Sequence, residues 1–229
     1  DRSRGLDAIM LAPTRELVSR LNQRARNHRL ADTTPSQEIE LGDGNRASVG
    51  DLIITRANNR RLRITATDWV KNGDRWTILN LTATGGLRVR HSRNGRILTL
   101  PAAYISTATA LGYATTVHTA QGVTVDTMHG VVTGEESRQQ LYTMITRGRT
   151  ANHIYVSVVG DGDPHAVIQP DSLHQRTATE LLEQILARDA TPQSATTLQR
   201  EQQDPVGLLG AAAARYVDAL HLAAEHLAG

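Results

Sequence analysis

Four turn-forming dipeptides divide residues 51–100 into five short segments with the character of β-strands, and this pattern constrains the fold more than any other feature of the chain. The dipeptides are Asn58-Asn59, Asn72-Gly73, Gly85-Gly86 and Asn94-Gly95. The segments are 51–55, 61–67, 75–82, 87–91 and 96–100. Asn and Gly supply the positive φ angles of tight hairpin turns, so the segments are predicted to be antiparallel strands. Five such strands in succession predict a small barrel of the SH3-like or OB-like kind.

The residues before these hairpins have the pattern of an α/β layer. Residues 8–12 read AIMLA, a short apolar run that predicts a buried parallel strand. Thr14 then predicts the N-cap of a helix, with Glu16 in the first turn, where a carboxylate is favourable. Apolar residues at helical spacing continue to about Leu30. A strand, a tight turn and a helix in this order predict part of an α/β domain.

The residues after the hairpins return to the same pattern. Residues 125–132 are predicted to be a further strand, and residues 153–159 another buried strand. The sequences TGEE at 133–136 and TATE at 177–180 match the capping box, in which Thr and a later Glu satisfy the free N–H groups of a helix start. Each box therefore predicts a helix, and the hairpins are predicted to be an insertion in the α/β domain.

The charge of the chain is concentrated in the hairpin region. Between Arg46 and Arg96 there are 11 Lys or Arg residues and 3 Asp residues, whereas the whole chain has a net charge of only +2. A block this positive is typical of a surface that contacts phosphate backbones. The alternative is a solvated Arg-rich face on a small β domain.

Composition excludes several classes of site. Lys71 is the single lysine, and its surroundings do not match G-x-x-x-x-G-K-[ST], so the chain contains no P-loop. There is no Cys, which excludes disulfides and thiolate zinc sites, and the nine His residues show no metal-ligand spacing, so no metal site is expected. No apolar run approaches the roughly 18 residues of a membrane span, and no signal peptide is visible. We expect a cytoplasmic protein without membrane insertion. Since the chain begins at Asp1 and not at Met, we also expect it to be part of a longer protein.

Two segments carry a resemblance to a known family. Residues 112–126 read GYATTVHTAQGVTVD, and residues 141–149 read LYTMITRGR. The first resembles motif V of RecD-like superfamily 1 DNA helicases, which is roughly Y-A-x-T-x-H-x-x-Q-G-x-[ET]-x-D. The second resembles motif VI of the same helicases, Y-x-x-x-T-R-[AG]-[RK]. The order of the two motifs and the gap between them are also those of the family.

The resemblance extends to other parts of the chain. Residues 11–22 are similar to the strand and helix around motif IV, and the basic hairpin block is similar to the SH3-like subdomain inserted in the second RecA-like domain. The C-terminal stretch from Thr177 to Thr197 resembles actinobacterial MobF-type conjugative relaxase-helicases. The resemblance to helicases covers about residues 8–160, and the assignment to relaxases depends on the C-terminal stretch alone.

The fold class that follows is α/β, with a RecA-like parallel-sheet domain, an inserted SH3-like β-barrel and a C-terminal helical tail. Residues 1–45 and 104–165 are predicted to form the second RecA-like domain, and residues 46–103 the basic barrel. Residues 166–229 are predicted to form the helical tail, with a flexible connector at about 190–203 and an amphipathic helix after it.

The resemblance implies a nucleotide role for four residues. Arg147 matches the motif VI arginine that stabilises charge in phosphoryl transfer, and Arg149 is the alternative for that role. Gln121 and Gly122 match the place where the family couples the γ-phosphate to DNA movement. ATP and Mg²⁺ would be bound mainly by an upstream RecA-like domain that carries the P-loop.

The resemblance also implies contacts with single-stranded DNA. Thr116 and His118 match positions that contact the DNA backbone, and a hydroxyl and an imidazole are suitable phosphate donors. Trp69 or Trp76 could stack on bases, although a Trp in a small barrel is more often part of the core. The position of Thr124 is often Glu in the family, which leaves a nucleotide contact there unsupported.

The function implied is that of the C-terminal motor half of an ATP-dependent DNA helicase or translocase, from a conjugative relaxase. Its partners would be single-stranded DNA, an upstream RecA-like domain in the same polypeptide and the conjugative transfer machinery. Two alternatives remain open at this point: a non-catalytic DNA-binding module, and a fragment whose last helix docks a partner protein.

Overall fold

A computed structural model describes residues 1, 4–157 and 177–190 of the chain. The strands are β1 (Ala8–Ala12), β2 (Ile39–Glu40), β3 (Arg46–Ala47), β4 (Leu52–Thr55), β5 (Asn59–Arg63), β6 (Trp69–Val70), β7 (Arg75–Leu81), β8 (Leu87–His91), β9 (Ile97–Leu100), β10 (Thr109–Leu111), β11 (Ala114–Thr116), β12 (Val125–Val132) and β13 (Gly148–Val156). The helices are α1 (Arg15–Arg29), α2 (Ala102–Ala108), α3 (Arg138–Ile145) and α4 (Ala178–Ala187). Most of the predicted connector and the whole of the predicted last helix lie outside the described residues.

Four strands form a parallel sheet in the order β11-β1-β12-β13. Strand β1 lies inside the sheet because Ala8 pairs with Thr127 of β12 and Ala12 pairs with Thr116 of β11. The face toward α3 is closed by buried apolar side chains from the strands and the helix. They include Ile9, Leu11, Met128, Val132, Leu141 and Met144. The predicted α/β fold class with a parallel sheet is confirmed.

Helix α1 covers the other face of β1 and begins where the sequence predicts. The Thr14 side chain accepts a hydrogen bond from the backbone N–H of Leu17 at 3.2 Å, which satisfies one of the free donors of the helix start. Val18 packs with Ala12 and Ala114 between the helix and the strands. The strand-turn-helix prediction for the first thirty residues is therefore confirmed.

The hairpin region forms a five-stranded antiparallel sheet in the order β10-β4-β7-β8-β9, which we call the β unit. Strand β10 pairs with β4 although it lies at residues 109–111, outside the predicted barrel range of 46–103. Trp76 is fully buried in the core of this unit, so it cannot serve as a stacking surface. The second strand was predicted at 61–67, but β5 covers 59–63, because Thr65 accepts hydrogen bonds from the N–H groups of residues 67 and 68 and closes a turn.

The capping box predicted at 133–136 is wrong. Helix α3 begins later, and its N-cap is Ser137, which exchanges capping-box hydrogen bonds with Gln140. The Glu136 carboxylate instead accepts hydrogen bonds from the backbone N–H of Thr133 at 2.9 Å and of Gly134 at 3.0 Å. The TGEE sequence therefore closes a local turn ahead of the helix. The second predicted box, Thr177 with Glu180, is present at the start of α4.

Strand β13 begins five residues before its predicted start. Its first residues include the polar and exposed Arg149, Thr150 and Asn152, so the sequence does not predict a strand there. They pair with β12 nonetheless, with Thr127 opposite Ala151 and Met128 opposite Asn152. Among the described residues β13 pairs with β12 alone, and the side chains of Arg149, Thr150 and Asn152 are exposed, so an apolar pattern is not required there.

Candidate nucleic-acid interface

An open groove with a volume of about 680 Å³ lies between the parallel sheet, helix α1 and the β unit. It is lined by Pro13, Arg15, Val18, Ser19, Asn22, Gly42, Asp43, Asn45, Arg56, Asn72, Thr107, Thr109, Ala110, Thr116, His118 and Thr119. The two residues predicted to contact DNA, Thr116 and His118, both belong to this lining. In parallel α/β sheets, ligands bind at the carboxyl ends of the strands, and β1 and β11 end at this groove.

The strand ends hold the sheet side of the groove in place. Asn22 of α1 donates to the carbonyl of Ala114 at 3.1 Å and accepts from its N–H at 2.8 Å, so the helix is fixed to β11. Thr116 ends that strand, and its hydroxyl shares a hydrogen bond of 2.9 Å with the hydroxyl of Thr119. His118 lies in the turn between them with an exposed side chain. Its imidazole is therefore accessible to a ligand in the groove.

Two arginines that sequence reasoning missed give the groove its charge. Arg15 comes from the first turn of α1 and Arg56 follows β4, and both line the groove opposite a single carboxylate, Asp43. Burial lowers the pKa of Arg56, Asp43 opposes this shift, and the charge of Arg15 adds to it. The ordinary pKa of arginine is so far above 7 that Arg56 stays protonated at neutral pH. The groove therefore carries more positive than negative charge, as a phosphate ligand requires.

Arg147 lies between helix α3 and strand β13. Its Nε donates to the carbonyl of Thr143 at 2.9 Å, and one Nη donates to the hydroxyl of Thr146 at 2.9 Å. The other Nη donates to the carbonyls of Val123 at 3.3 Å and Ala120 at 3.5 Å. These acceptors are all neutral, and no carboxylate among the described residues forms an ion pair with the guanidinium. Arg147 thus holds the turn after β11 through hydrogen bonds to neutral oxygens.

Gln121 and Gly122 lie in the turn that Arg147 holds. Both are exposed, and Gly122 has φ of +80°, a conformation that residues with a Cβ rarely adopt. No neighbouring atom lies within 4 Å of a Cβ built on Gly122, so the backbone angle is the reason for a glycine here. Arg149, the alternative to Arg147, is directed elsewhere: it forms an exposed ion pair of 3.6 Å with Asp126.

The segment 116–123 connects the two predicted sites. Its first residues, with Thr116 and His118, line the groove, and its last residues accept hydrogen bonds from Arg147. The structure therefore brings the predicted nucleotide residues Gln121, Gly122 and Arg147 together, and it separates Arg149 from them. A single turn of the chain joins this group to the residues predicted to contact DNA.

We expect Gly122→Ala to destabilise the protein by about 1–2 kcal/mol, because a Cβ is strained at positive φ. Thermal or denaturant unfolding of the variant measures this loss. Thr124→Ala, an exposed change in the same loop, is the matched control and should stay within about 0.5 kcal/mol of wild type. Equal stability of the two variants would mean that the turn relaxes to a negative φ.

The described part of the chain has neither a membrane-spanning helix nor a cluster of metal-binding side chains. None of its helices combines the length and the apolar character that crossing a membrane requires. Within the same residues, no group of three or more His, Cys, Asp or Glu side chains is arranged to hold a metal ion.

Comparisons with known proteins give a fold and two curated relatives. No protein-family model matches the chain. The uncharacterized proteins Rv2311 and MT2373, from two strains of Mycobacterium tuberculosis, are each 32% identical over 97 residues, which cover 42% of this chain and 56% of the relative. The chain thus spans about half the length of these relatives. Among solved structures, it is similar to the Bacteroides Pif1 helicase in complex with ADP-AlF3 and ssDNA, with a TM-score of 0.50 and 15% identity over 86% of this chain and 46% of the helicase chain.

The fold of the chain is an α/β fold with a parallel sheet of the RecA-like kind. At 15% identity the likeness to the Pif1 helicase shows a shared fold. The parallel sheet, with the strand order β11-β1-β12-β13, is the part of the molecule that carries the predicted helicase motifs.

Proposed function

We propose that this chain is the second RecA-like domain of an ATP-dependent DNA helicase or translocase of the RecD-like kind. In this proposal Thr116, His118, Arg15 and Arg56 contact single-stranded DNA, and Arg147 is the catalytic arginine. The observation that carries the proposal is the segment 116–123, which lines the basic groove at one end and is bound by Arg147 at the other. A displacement of this segment by DNA would act directly on the surroundings of Arg147.

The proposed cofactors are ATP and Mg²⁺, and the residues present fit one side of a nucleotide site. The Arg147 guanidinium contacts neutral oxygens, so its charge is available to a phosphate group. Bound ATP supplies the phosphoryl group, whose transfer develops negative charge on oxygen. Gln121 and the Gly122 backbone lie in the same turn and can orient polar groups there. The P-loop lysine and the Mg²⁺ carboxylate would belong to an upstream RecA-like domain, and the Pif1 structure with ADP-AlF3 supports nucleotide binding as the common chemistry.

The β unit fits the SH3-like assignment better than the OB-like one. Strands β4, β7, β8 and β9 are neighbours in the sheet in their sequence order, and the last strand, β10, returns to pair with the first, β4. An OB-fold has a Greek-key order instead. The membership of a MobF-type conjugative relaxase, with the transfer machinery as a partner, is supported only by the sequence resemblance from Thr177 to Thr197.

We expect the double variant Arg15→Ala/Arg56→Ala to bind single-stranded DNA about 10- to 30-fold more weakly than wild type at 0.1 M salt. Each lost phosphate contact should also reduce the slope of log K against log salt by about 0.7. Fluorescence anisotropy of a labelled oligonucleotide, repeated over a range of salt concentrations, measures both quantities. We expect the weaker binding because Arg15 and Arg56 both line the groove.

Arg24→Ala is the matched control for this experiment. Arg24 is exposed on the same helix as Arg15, and nine residues of helix place it on the opposite face, outside the groove lining. If Arg24→Ala weakens binding as much per charge as the groove variant does, the groove is not the DNA site. If neither bound nucleotide nor a change at Arg147 alters the DNA affinity of the complete protein, the non-catalytic DNA-binding module is favoured.

A further inference from the structure

A two-stranded ribbon extends from the wall of the groove. It consists of β5 and β6, and it connects β4 to β7 of the β unit. Arg56, three residues before the ribbon, and Asn72, two residues after it, both line the groove. The base of the ribbon is closed by a hydrogen bond of 2.9 Å from the backbone N–H of Asn72 to the side chain of Asn58. A single strand of DNA that leaves the groove at this wall therefore meets the ribbon next.

The ribbon carries an excess of exposed positive charge. Arg60, Arg61 and Arg63 all belong to β5, and the side chains of all three are exposed. Among the described residues, no carboxylate forms an ion pair with any of them. Asp68 is the acidic residue between the two strands, and it is already paired with Lys71 at 2.7 Å. Three guanidinium groups are thus available to an anionic ligand.

Trp69 lies on this ribbon and differs from the other tryptophan of the chain. Trp76 is fully buried, whereas the side chain of Trp69 keeps part of its surface open to solvent. The Arg60 guanidinium carbon lies 5.2 Å from the centre of the Trp69 ring, and the Lys71 ammonium lies 5.5 Å from it. An aromatic ring flanked by cations is the combination that binds single-stranded nucleic acid, because bases stack on the ring and phosphates pair with the cations.

We propose that the β5–β6 ribbon is a second contact for the same single strand that occupies the groove, with one base stacked on Trp69 and its neighbouring phosphates paired with Arg60 and Arg61. The inference rests on the proposed function, because it needs a single strand in the groove. The occupant is nucleic acid because the ribbon offers an accessible ring beside guanidinium groups that form no ion pair with a carboxylate of the described residues. The ribbon lengthens the binding site beyond the lining of the groove.

The intrinsic fluorescence of the 229-residue chain tests this inference. Trp76 is fully buried, so a ligand that contacts tryptophan changes the emission of Trp69. An oligothymidine of about 16 nucleotides, at the upper end of the site size of a small barrel, is the probe. We expect the tryptophan emission to be quenched in proportion to the bound fraction that anisotropy of the labelled oligonucleotide reports. Trp69→Phe should keep most of the affinity and lose the quenching, and Trp69→Ala should bind about 5- to 100-fold more weakly.

A charge variant keeps the test independent of any effect of Trp69 on folding. Arg60→Ala/Arg61→Ala removes two cations of the ribbon, and Arg88→Ala/Arg90→Ala removes two exposed cations from β8 of the same β unit. We expect the first variant to weaken binding at least fivefold more than the second. DNA binding without quenching, together with equal effects of the two double variants, would overturn the ribbon contact and leave the groove assignment intact. An absence of any binding to the oligonucleotide at low salt would overturn the groove assignment and the ribbon contact with it.

Discussion

Replacement of Arg147 by alanine is expected to lower single-stranded-DNA-stimulated ATP hydrolysis by about 10³- to 10⁵-fold, the range for arginines that stabilise phosphoryl transfer. The measurement requires a longer polypeptide that joins this sequence to the proposed P-loop domain. Steady-state hydrolysis with saturating ATP and oligonucleotide compares the variant with wild type. The reason for the large effect is that a guanidinium next to the transferred phosphoryl group acts on charge that develops only in the transition state.

The structural role of Arg147 makes two further variants necessary. Its guanidinium holds the carbonyls of Ala120 and Val123, so alanine could disturb the turn as well as remove the charge. Arg147→Lys keeps the charge but not the planar fork, and we expect it to recover little activity. Arg149→Ala removes an exposed charge that pairs with Asp126, and hydrolysis should change less than about tenfold. DNA binding of every variant is measured in parallel as a check of folding.

The outcomes separate the proposed motor from its alternatives. If Arg147→Ala is folded, binds DNA and hydrolyses ATP like wild type, Arg147 has no part in the reaction. If Arg149→Ala and not Arg147→Ala loses hydrolysis, the two arginines exchange roles. If the complete wild-type protein binds DNA but never hydrolyses ATP, the non-catalytic DNA-binding module becomes the better description.

Segments whose burial follows from local composition could be predicted from the sequence. The run AIMLA is a strand as predicted, because a strand covered on both faces needs an apolar run. Residues 125–132 are also a strand as predicted, with buried apolar side chains at Val125, Met128 and Val132. The cap at Thr14 was also predictable, since it depends on a hydrogen bond within one turn of helix. These features require no knowledge of distant residues.

Features that depend on a competing local partner were not predictable. The sequence TGEE satisfies the capping-box pattern, yet Glu136 binds the turn before the helix, and Ser137 with Gln140 supplies the actual box. Both arrangements are consistent with the same pattern of residues. The choice depends on where β12 ends and on the direction in which the chain enters α3, and neither is encoded in a window of four residues.

The candidate site divides in the same way. Thr116, His118, Gln121 and Arg147 belong to contiguous motifs, so a resemblance could identify them. Arg56 is distant in sequence from all of them, and only the packing of the β unit against the sheet brings it into the groove. A signal existed for the class of residue, since the net positive charge of the hairpin region predicted phosphate contacts. No signal distinguished Arg56 from the other arginines of that region.

The attachment of the β unit to the RecA-like sheet depends on two buried ionic clusters that the sequence did not reveal. In the first, Asp51 at the start of β4 receives Arg29 at 2.8 Å and Arg26 at 3.1 Å from helix α1. In the second, Arg75 of β7 is buried, pairs with Asp7 at 2.9 Å and donates to backbone carbonyls of the parallel-sheet segment. Each cluster joins a β-unit residue to residues of the other layer, so each helps to fix the walls of the groove.

Replacement of Asp51 by alanine is expected to destabilise the protein by about 3–5 kcal/mol, because it removes a buried carboxylate and leaves Arg29 without this counter-charge, whereas Arg26 keeps its ion pair with Glu38. The Asp51 side chain is fully inaccessible to solvent, and it also accepts hydrogen bonds from the Tyr113 hydroxyl at 2.5 Å and the Ser48 N–H at 2.7 Å. Denaturant unfolding at neutral pH measures the loss. Asp68→Ala is the matched control, since it removes an equal charge whose partner, Lys71, is exposed, and its effect should be much smaller.

The pH dependence of stability provides an independent test of the same cluster. Burial alone would raise the pKa of Asp51, but hydrogen bonds from Tyr113, Arg29 and Ser48 outweigh it and hold the pKa below its usual value. A lowered pKa in the folded state means that the carboxylate contributes its full stabilisation above the unfolded pKa of about 3.9, and that this contribution is lost as the pH falls through the folded pKa. The stability difference between wild type and Asp51→Asn should therefore be constant from about pH 5 to pH 8 and become smaller below about pH 4. A difference that stays unchanged down to pH 3 would mean that the variant is destabilised by altered packing and not by loss of the ionised carboxylate.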